Sequence, residues 1–204
     1  MADGCVIARI APAAYASHMN TLFLLLALLG GLLILSVLIY NRLVARRALV
    51  ENGWSDIEVQ LKRRADLIPQ LVETVKAYAA HERDLFATVI AARQTALSAG
   101  ADRSARGAAE TALSAPTARL IALKEAYPDL KSNANFLSLQ NELAETEDTI
   151  EMARRFYNGA VRELNIAVTT VPNTLIARPL GFHEYEYFEI ETADAVVPAV
   201  DLGA

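Results

Sequence analysis

The sequence holds one cysteine, three histidines and one tryptophan. A single thiol, Cys5, excludes an intramolecular disulfide and a cysteine-built zinc site, so packing must hold the fold. The di-metal centre that helical bundles build takes two Glu-x-x-His motifs, and of His18, His81 and His183 only His81 falls on an expected bundle helix. None of the three follows a glutamate at that spacing. A basic excess is missing too: the net charge of −5 gives no basic face for nucleic acid. Neither GxGxxG nor GxxxxGK[ST] occurs, and no Gly-x-Ser-x-Gly turn presents a nucleophile. His81-Glu82 lies at the middle of an expected long helix, where adjacent side chains point about 100° apart, and reads as solvated surface. The expectation is no enzyme: no catalytic residue, no cofactor, no metal and no small-molecule substrate.

What the chain has in abundance is apolar side chains, 53% of the total, with most of the excess in one block. Thr21 to Tyr40 carries no charge over 20 residues, and a helix of that length spans about 30 Å. This predicts a single membrane-spanning anchor embedded in lipid through residues 21–40. A cleaved signal peptide is the alternative, but its apolar region is usually about 7–15 residues and ends at small residues. Here the run ends in Leu38-Ile39-Tyr40 and then Asn41-Arg42. Arg42, Arg46 and Arg47 follow the span, whereas Arg9 before it is offset by Asp3. The positive-inside rule then places the C-terminal domain in the cytoplasm, attached to the inner membrane; the opposite side is the alternative. Residues 1–18 show no organised pattern, and Met19 is a second candidate start.

Beyond the anchor (19–41), residues 42–171 carry helical periodicity. In Trp54 to Leu85, the residues Ile57, Leu61, Ile68, Leu71, Val72, Val75 and Ala79 share one face of a helix, with Lys62, Asp66, Glu73 and Lys76 away from it. Asn41 to about Ala99 reads as nearly continuous helix, with Gly53 weak and Pro69 expected to kink it. Ala101 to Gly107 reads as a small-polar connector. A second helix is expected over Ala108 to Tyr127, bent near Pro116 and closed by Tyr127-Pro128. A last one starts near Pro128 or Ser132 and runs to Val171, with Phe136, Leu139, Leu143, Ile150, Ala153, Tyr157, Leu164 and Val168 at spacings of three and four. Short connections between long amphipathic helices predict an all-α, antiparallel up-and-down bundle of three or four helices. A coiled-coil homo-oligomer is the rival. Residues 172–204 have no helical period and read as an extended acidic-aromatic arm, either pinned across the bundle or offered to a partner.

The residues that break the pattern are polar ones beside the apolar stripes. Arg64 falls within the first stripe. Gln140, Glu147 and Arg154 are spaced by seven on the last helix, beside positions 139, 143, 146, 150 and 153. An unpaired guanidinium inside a bundle is very costly, so Arg64 should meet Glu147 or Glu142. Arg64, Gln140, Glu142, Glu147 and Arg154 are therefore either a ladder that fixes helix register or the lining of a groove for a partner.

Three stretches also resemble one family. NRLVARRALVENGWSDIEVQLKRRADLIPQLVETVKAYAAHE, EAYPDLKSNANFLSLQNELAETEDTIEMARRFYNGAVRELN and VPNTLIARPLGFHEYEYFE are similar, in that order, to the signatures of the LemA family of bacterial membrane-anchored proteins. The resemblance runs from about Met19 to the end. Gly53 stands where the family usually has alanine, and Pro116 interrupts a segment that usually lacks proline. It implies an all-α bundle behind one N-terminal span, without an established enzymatic activity or cofactor. The shared positions Trp54, Arg64, Pro69, Asn135, Gln140 and Arg154 carry no catalytic role there. The functional expectation is a scaffold or adaptor of the bacterial envelope that binds a protein partner or itself through the bundle. The alternative is a self-assembling, membrane-shaping protein.

Overall fold

The first helix dominates the structure, a computed structural model that describes residues 11–100 and 102–189. Helix α1 runs unbroken from Ala11 to Lys76, 66 residues. It is followed by α2 (Arg83–Ser98), α3 (Arg103–Ala122) with a 3₁₀ turn at Leu123–Glu125, and the single turn α4 (Pro128–Lys131). Then come α5 (Ala134–Thr169) and the short α6 (Asn173–Ala177). The fold is all-α, and the described residues contain no strand. The chain divides into two compact units. One comprises the residues up to Ala45 with Ala167–His183; the second comprises Arg46–Ile166 with the chain from Glu184. Cys5, Arg9 and the arm beyond Glu189 lie outside the described residues.

In the first unit, α1 exposes Leu22 through Leu38 almost all round. Such a surface is stable only in an apolar medium, and this is the one helix among the described residues long and apolar enough to cross a membrane. At the end of the apolar run and just past it, Ile39 and Leu43 are buried, as are Ala167, Val168, Ala177 and Phe182 of the same unit.

The second unit is a four-helix, up-and-down bundle. Gly53 of α1 lies against Phe156 and Tyr157 of α5, and Arg64 reaches back to Glu147, so these two helices are antiparallel. Arg103 and Glu110 of α3 meet Glu51 and Arg64 of α1 in the same order, which makes that pair parallel. A Cβ at Gly53 would stand 3.0 Å from the Phe156 ring and 3.2 Å from Tyr157 Cα. The glycine thus permits a close helix–helix approach rather than weakening α1. Every residue of the expected stripe, from Ile57 to Ala79, is buried. The core continues through Leu85, Phe86, Val89, Leu113, Leu120, Leu130, Phe136, Leu139 and Leu143.

Three boundaries differ from the sequence expectation. The continuous helix from Asn41 to Ala99 is two helices, because residues 77–82 form a tight turn. Nothing in Ala-Tyr-Ala-Ala-His-Glu breaks a helix locally. Tertiary burial decides: Ala79 is buried in the turn, which folds Leu85, Phe86 and Val89 back onto α1. His81 and Glu82 therefore sit in this turn, not in mid-helix. The connector at 101–107 is mostly helix. Asp102 caps α3, accepting from Ser104 N at 3.0 Å and Ala105 N at 3.2 Å. Third, the segment after Pro172 is not wholly irregular, since Asn173–Ala177 forms α6. At Pro69 and Pro116 helix is maintained. Pro69 cannot donate to the Ala65 carbonyl four residues back, and Arg93 Nε of α2 donates to that oxygen instead.

Candidate functional site

Two polar constellations interrupt the apolar packing of the bundle. The inner one centres on Arg64. The periodicity that buries Leu61 and Ile68 also carries Arg64 inward, where it is only 2% exposed. Its Nη1 donates to Glu147 Oε1 at 2.8 Å. Its Nη2 donates to Glu110 Oε2 at 2.8 Å and to the Glu110 carbonyl at 3.0 Å. Arg106 Nε, one turn before Glu110 on α3, donates to Glu110 Oε1 at 3.1 Å. Two guanidinium groups and two carboxylates thus join α1, α3 and α5 with no net charge. Glu110 is 1% exposed, and burial pushes its carboxyl above the ordinary carboxylate value against the pull of Arg64 and Arg106.

The residues singled out in the sequence separate here. Arg64 and Glu147 come together. Gln140 instead accepts from Lys124 Nζ at 3.2 Å, beside the 3₁₀ turn. Glu142 accepts from Ser138 Oγ on its own helix, and Arg154 is half-buried elsewhere on α5. Glu110 and Arg106 were not among the expected residues. Their signal was present: Arg106, Glu110, Leu113, Thr117 and Leu120 recur at three and four. Placing the helix start at Ala108 hid it.

The outer constellation holds the described part of the arm, Glu184–Glu189, across the bundle, the first of the two expected placements; the residues that grip it were not foreseen. Asn158 and Asn165 stand seven apart on α5. The Asn165 side chain accepts from Tyr185 N and donates to Tyr185 O, each at 2.9 Å. The Asn158 side chain does the same for Phe188 N and O, at 2.9 and 3.0 Å. Tyr157 Oη donates to the Glu186 carbonyl at 2.9 Å. Seven helical residues rise about 10.5 Å, and three residues of extended chain cover about 10 Å. The two asparagines are thus spaced to grip main-chain groups three residues apart on a segment running antiparallel to α5.

Side chains complete the groove. Phe188 is 1% exposed and meets Trp54 edge-on, ring centroids 5.1 Å apart at 81°. The Arg103 guanidinium, at the start of α3, lies 5.0 Å from the Trp54 ring, 5.5 Å from Tyr157 and 5.2 Å from Tyr185. It also pairs with Glu51 at 3.0 Å, and Tyr185 Oη donates to the other Glu51 oxygen at 2.9 Å. Burial raises the phenol of Tyr157 against the pull of Arg103. Burial and the Glu51 carboxylate raise that of Tyr185. Both hydroxyls are protonated donors at neutral pH. A Cβ at Gly107 would lie 2.5 Å from the Glu189 carbonyl, so only glycine admits the arm there. The sequence signal was a pair of asparagines seven apart preceding an extended aromatic segment.

The arrangement holds this chain's own arm by its backbone and by the side chains of Tyr185 and Phe188. Among the described residues no group of three or more His, Cys, Asp or Glu is placed to hold a metal.

The chain is similar to known proteins. It is 26% identical over 179 residues to Magnetosome protein MamQ 2 of Paramagnetospirillum magneticum, covering 76% of this chain and 66% of that one. The same identity and coverage hold for Magnetosome protein MamQ of Magnetospirillum gryphiswaldense. This chain therefore spans slightly less than two thirds of the length of these relatives. Protein LemA of Metamycoplasma hominis is 23% identical over 157 residues, with 76% of this chain and 72% of that protein covered. The family model described as LemA family matches residues 53–202, which takes in most of α1 beyond the apolar run, α2 to α6 and the arm. With its apolar N-terminal helix and helical bundle, this membrane-associated chain belongs to the LemA family.

Proposed function

We propose that the chain is a membrane-anchored, non-catalytic scaffold of the bacterial envelope whose bundle docks extended, acidic-aromatic peptide segments in the groove of α1, α3 and α5. The observation that carries this reading is the paired grip of Asn158 and Asn165 on main-chain N–H and C=O groups. Main-chain recognition tolerates many sequences, while the Trp54 and Arg103 sites select aromatic residues three apart. In this chain its own arm is the occupant. The arginines after the span, Arg42, Arg46 and Arg47, support a bundle on the cytoplasmic side of the inner membrane.

A photocrosslinking residue at Glu51, tested in native membranes, checks the reading. Intermolecular adducts are expected to increase when Phe188→Ala empties the groove. Absence of intermolecular adducts in both versions would contradict it.

A second reading, self-assembly that shapes the membrane, is favoured by the identity of the occupant, because every copy carries both arm and groove. Exchange of arms between copies would preserve all the contacts. Anchoring in one plane raises the local concentration of arms. A copy with a defective arm (Phe188→Ala) should bind one with a defective groove (Asn158→Ala with Asn165→Ala), although neither self-associates. Vesicles that stay unlinked and flat at high protein density would count against this reading.

A further inference from the structure

The first unit has an exposed apolar surface besides that of the span itself. From Ala167 to Phe182 the only charged side chain is Arg178. One side of this segment is committed to the fold: Ala177 and Phe182 are buried. The Phe182 ring meets Tyr40 edge-on, centroids 6.0 Å apart at 77°. The other side is bare, with Val171 and Leu175 each 71% exposed and Leu180 55% exposed. Tyr40 is the last residue of the apolar run 21–40. The ring contact therefore sets this segment beside the residue at which the apolar run of α1 ends.

The backbone supports the same conclusion. Thr174 N donates to Thr170 O, Leu175 N to Pro172 O and Arg178 N to Thr174 O, at 2.9 to 3.3 Å. Leu180 N and Phe182 N donate to Ala177 O, and Gly181 N to Arg178 O, at 3.0 to 3.2 Å. Gly181 closes the last turn with φ +75°, a conformation that favours glycine. Pro172 and Pro179 have no donor to satisfy. A non-spanning segment can enter the edge of the hydrocarbon only if its amides find partners within the protein, and these amides do.

We propose that residues 170–181 are a membrane-interface element that inserts Val171, Leu175 and Leu180 into the boundary between headgroups and acyl chains, with Arg178 reaching back to the phosphates. The occupant of the bare side is lipid. Span and element together form two points of attachment, which prevent the first unit from turning about the α1 axis. This inference goes beyond the scaffold reading and holds on either side of the membrane.

The test uses the full chain with Cys5→Ser, carrying one environment-sensitive fluorophore through Leu175→Cys or Leu180→Cys. Both side chains are exposed, so the label does not disturb packing. The protein is reconstituted in vesicles of phosphatidylcholine and phosphatidylglycerol without other proteins. Quenching by spin-labelled lipid is expected to be at least three-fold stronger than at a Lys62→Cys control on the exposed face of the bundle, with weak quenching by aqueous iodide. Lipid and iodide quenching equal to those at Lys62 would overturn the proposal. A protein-covered surface would give that same result, since no partner is present.

Discussion

The Arg64 network and the arm groove both hold the bundle's helices to something, by opposite means. The inner network uses full charges. Arg64 and Glu110 are almost completely buried, so removing either takes a partner from a charge in low dielectric: Glu110 would keep only Arg106, and Arg64 would keep Glu147. The groove relies on amides, phenols and rings, with buried Trp54, Tyr157 and Phe188 and a single ion pair, Arg103–Glu51, whose carboxylate side chain is 47% exposed, so water can reach that charge. The first arrangement resists opening, because separating the helices takes ionic partners away from buried charges. The second can release its occupant one grip at a time. On the proposed reading, helix register rests with the network and reversible attachment with the groove.

The contrast can be broken from the charged side. Arg64→Ala should reduce stability by about 3–5 kcal/mol, as for one partner removed from a buried pair, read by chemical unfolding of the full chain in detergent. Arg64→Met with Glu110→Gln should recover most of that loss, because no buried carboxylate is then stranded. On the groove side, Phe188→Ala should weaken arm docking by about 3 kcal/mol, within the usual range for an emptied aromatic site. It should lower the bundle's unfolding free energy by no more than the docking free energy that is lost, while protease cleavage within Glu184–Glu189 accelerates. Asn158→Ala should act in the same way and more weakly, by about 1–3 kcal/mol for two net hydrogen bonds.

Smaller effects sharpen the account. Arg93→Ala should lower bundle stability by about 1–2 kcal/mol, because the Ala65 carbonyl opposite Pro69 loses its donor. The pH dependence of Glu110 has a definite sign. Burial raises its carboxyl in the folded chain, so the stability it contributes is fully present below the unfolded carboxylate value and is lost as pH rises through the folded one. Wild type should therefore gain on Glu110→Gln as pH falls from neutral into the carboxylate range, followed by paired unfolding curves.

Much of the fold was legible in residue spacing. The charge-free run 21–40, the buried face from Ile57 to Ala79 and the α5 stripe are local periodic signals, and each is present in the structure. The turn at residues 77–82 was not legible, because good helix-forming residues there yield to burial of Ala79 and α2. The start of α3 was missed for a different reason. Small residues concealed Asp102 as a cap, and with it the register that turns Arg106 and Glu110 inward. Arg64 announced its need for a partner, and Glu147 was a candidate, but Glu110 depended on that hidden register. The groove was least legible. Asn158 and Asn165 look like ordinary surface residues until an extended segment is laid antiparallel beside them.

Amide hydrogen exchange in the full chain, compared between the arm and α5, tests the central claim most directly. If the arm is a releasable occupant, the Tyr185 and Phe188 amides should exchange at least a hundred-fold faster than those around Thr146 and Ile150, a difference of about 2.7 kcal/mol in opening free energy. Equal protection, with both regions exchanging only on global unfolding, would contradict it and make the arm a fixed part of the bundle.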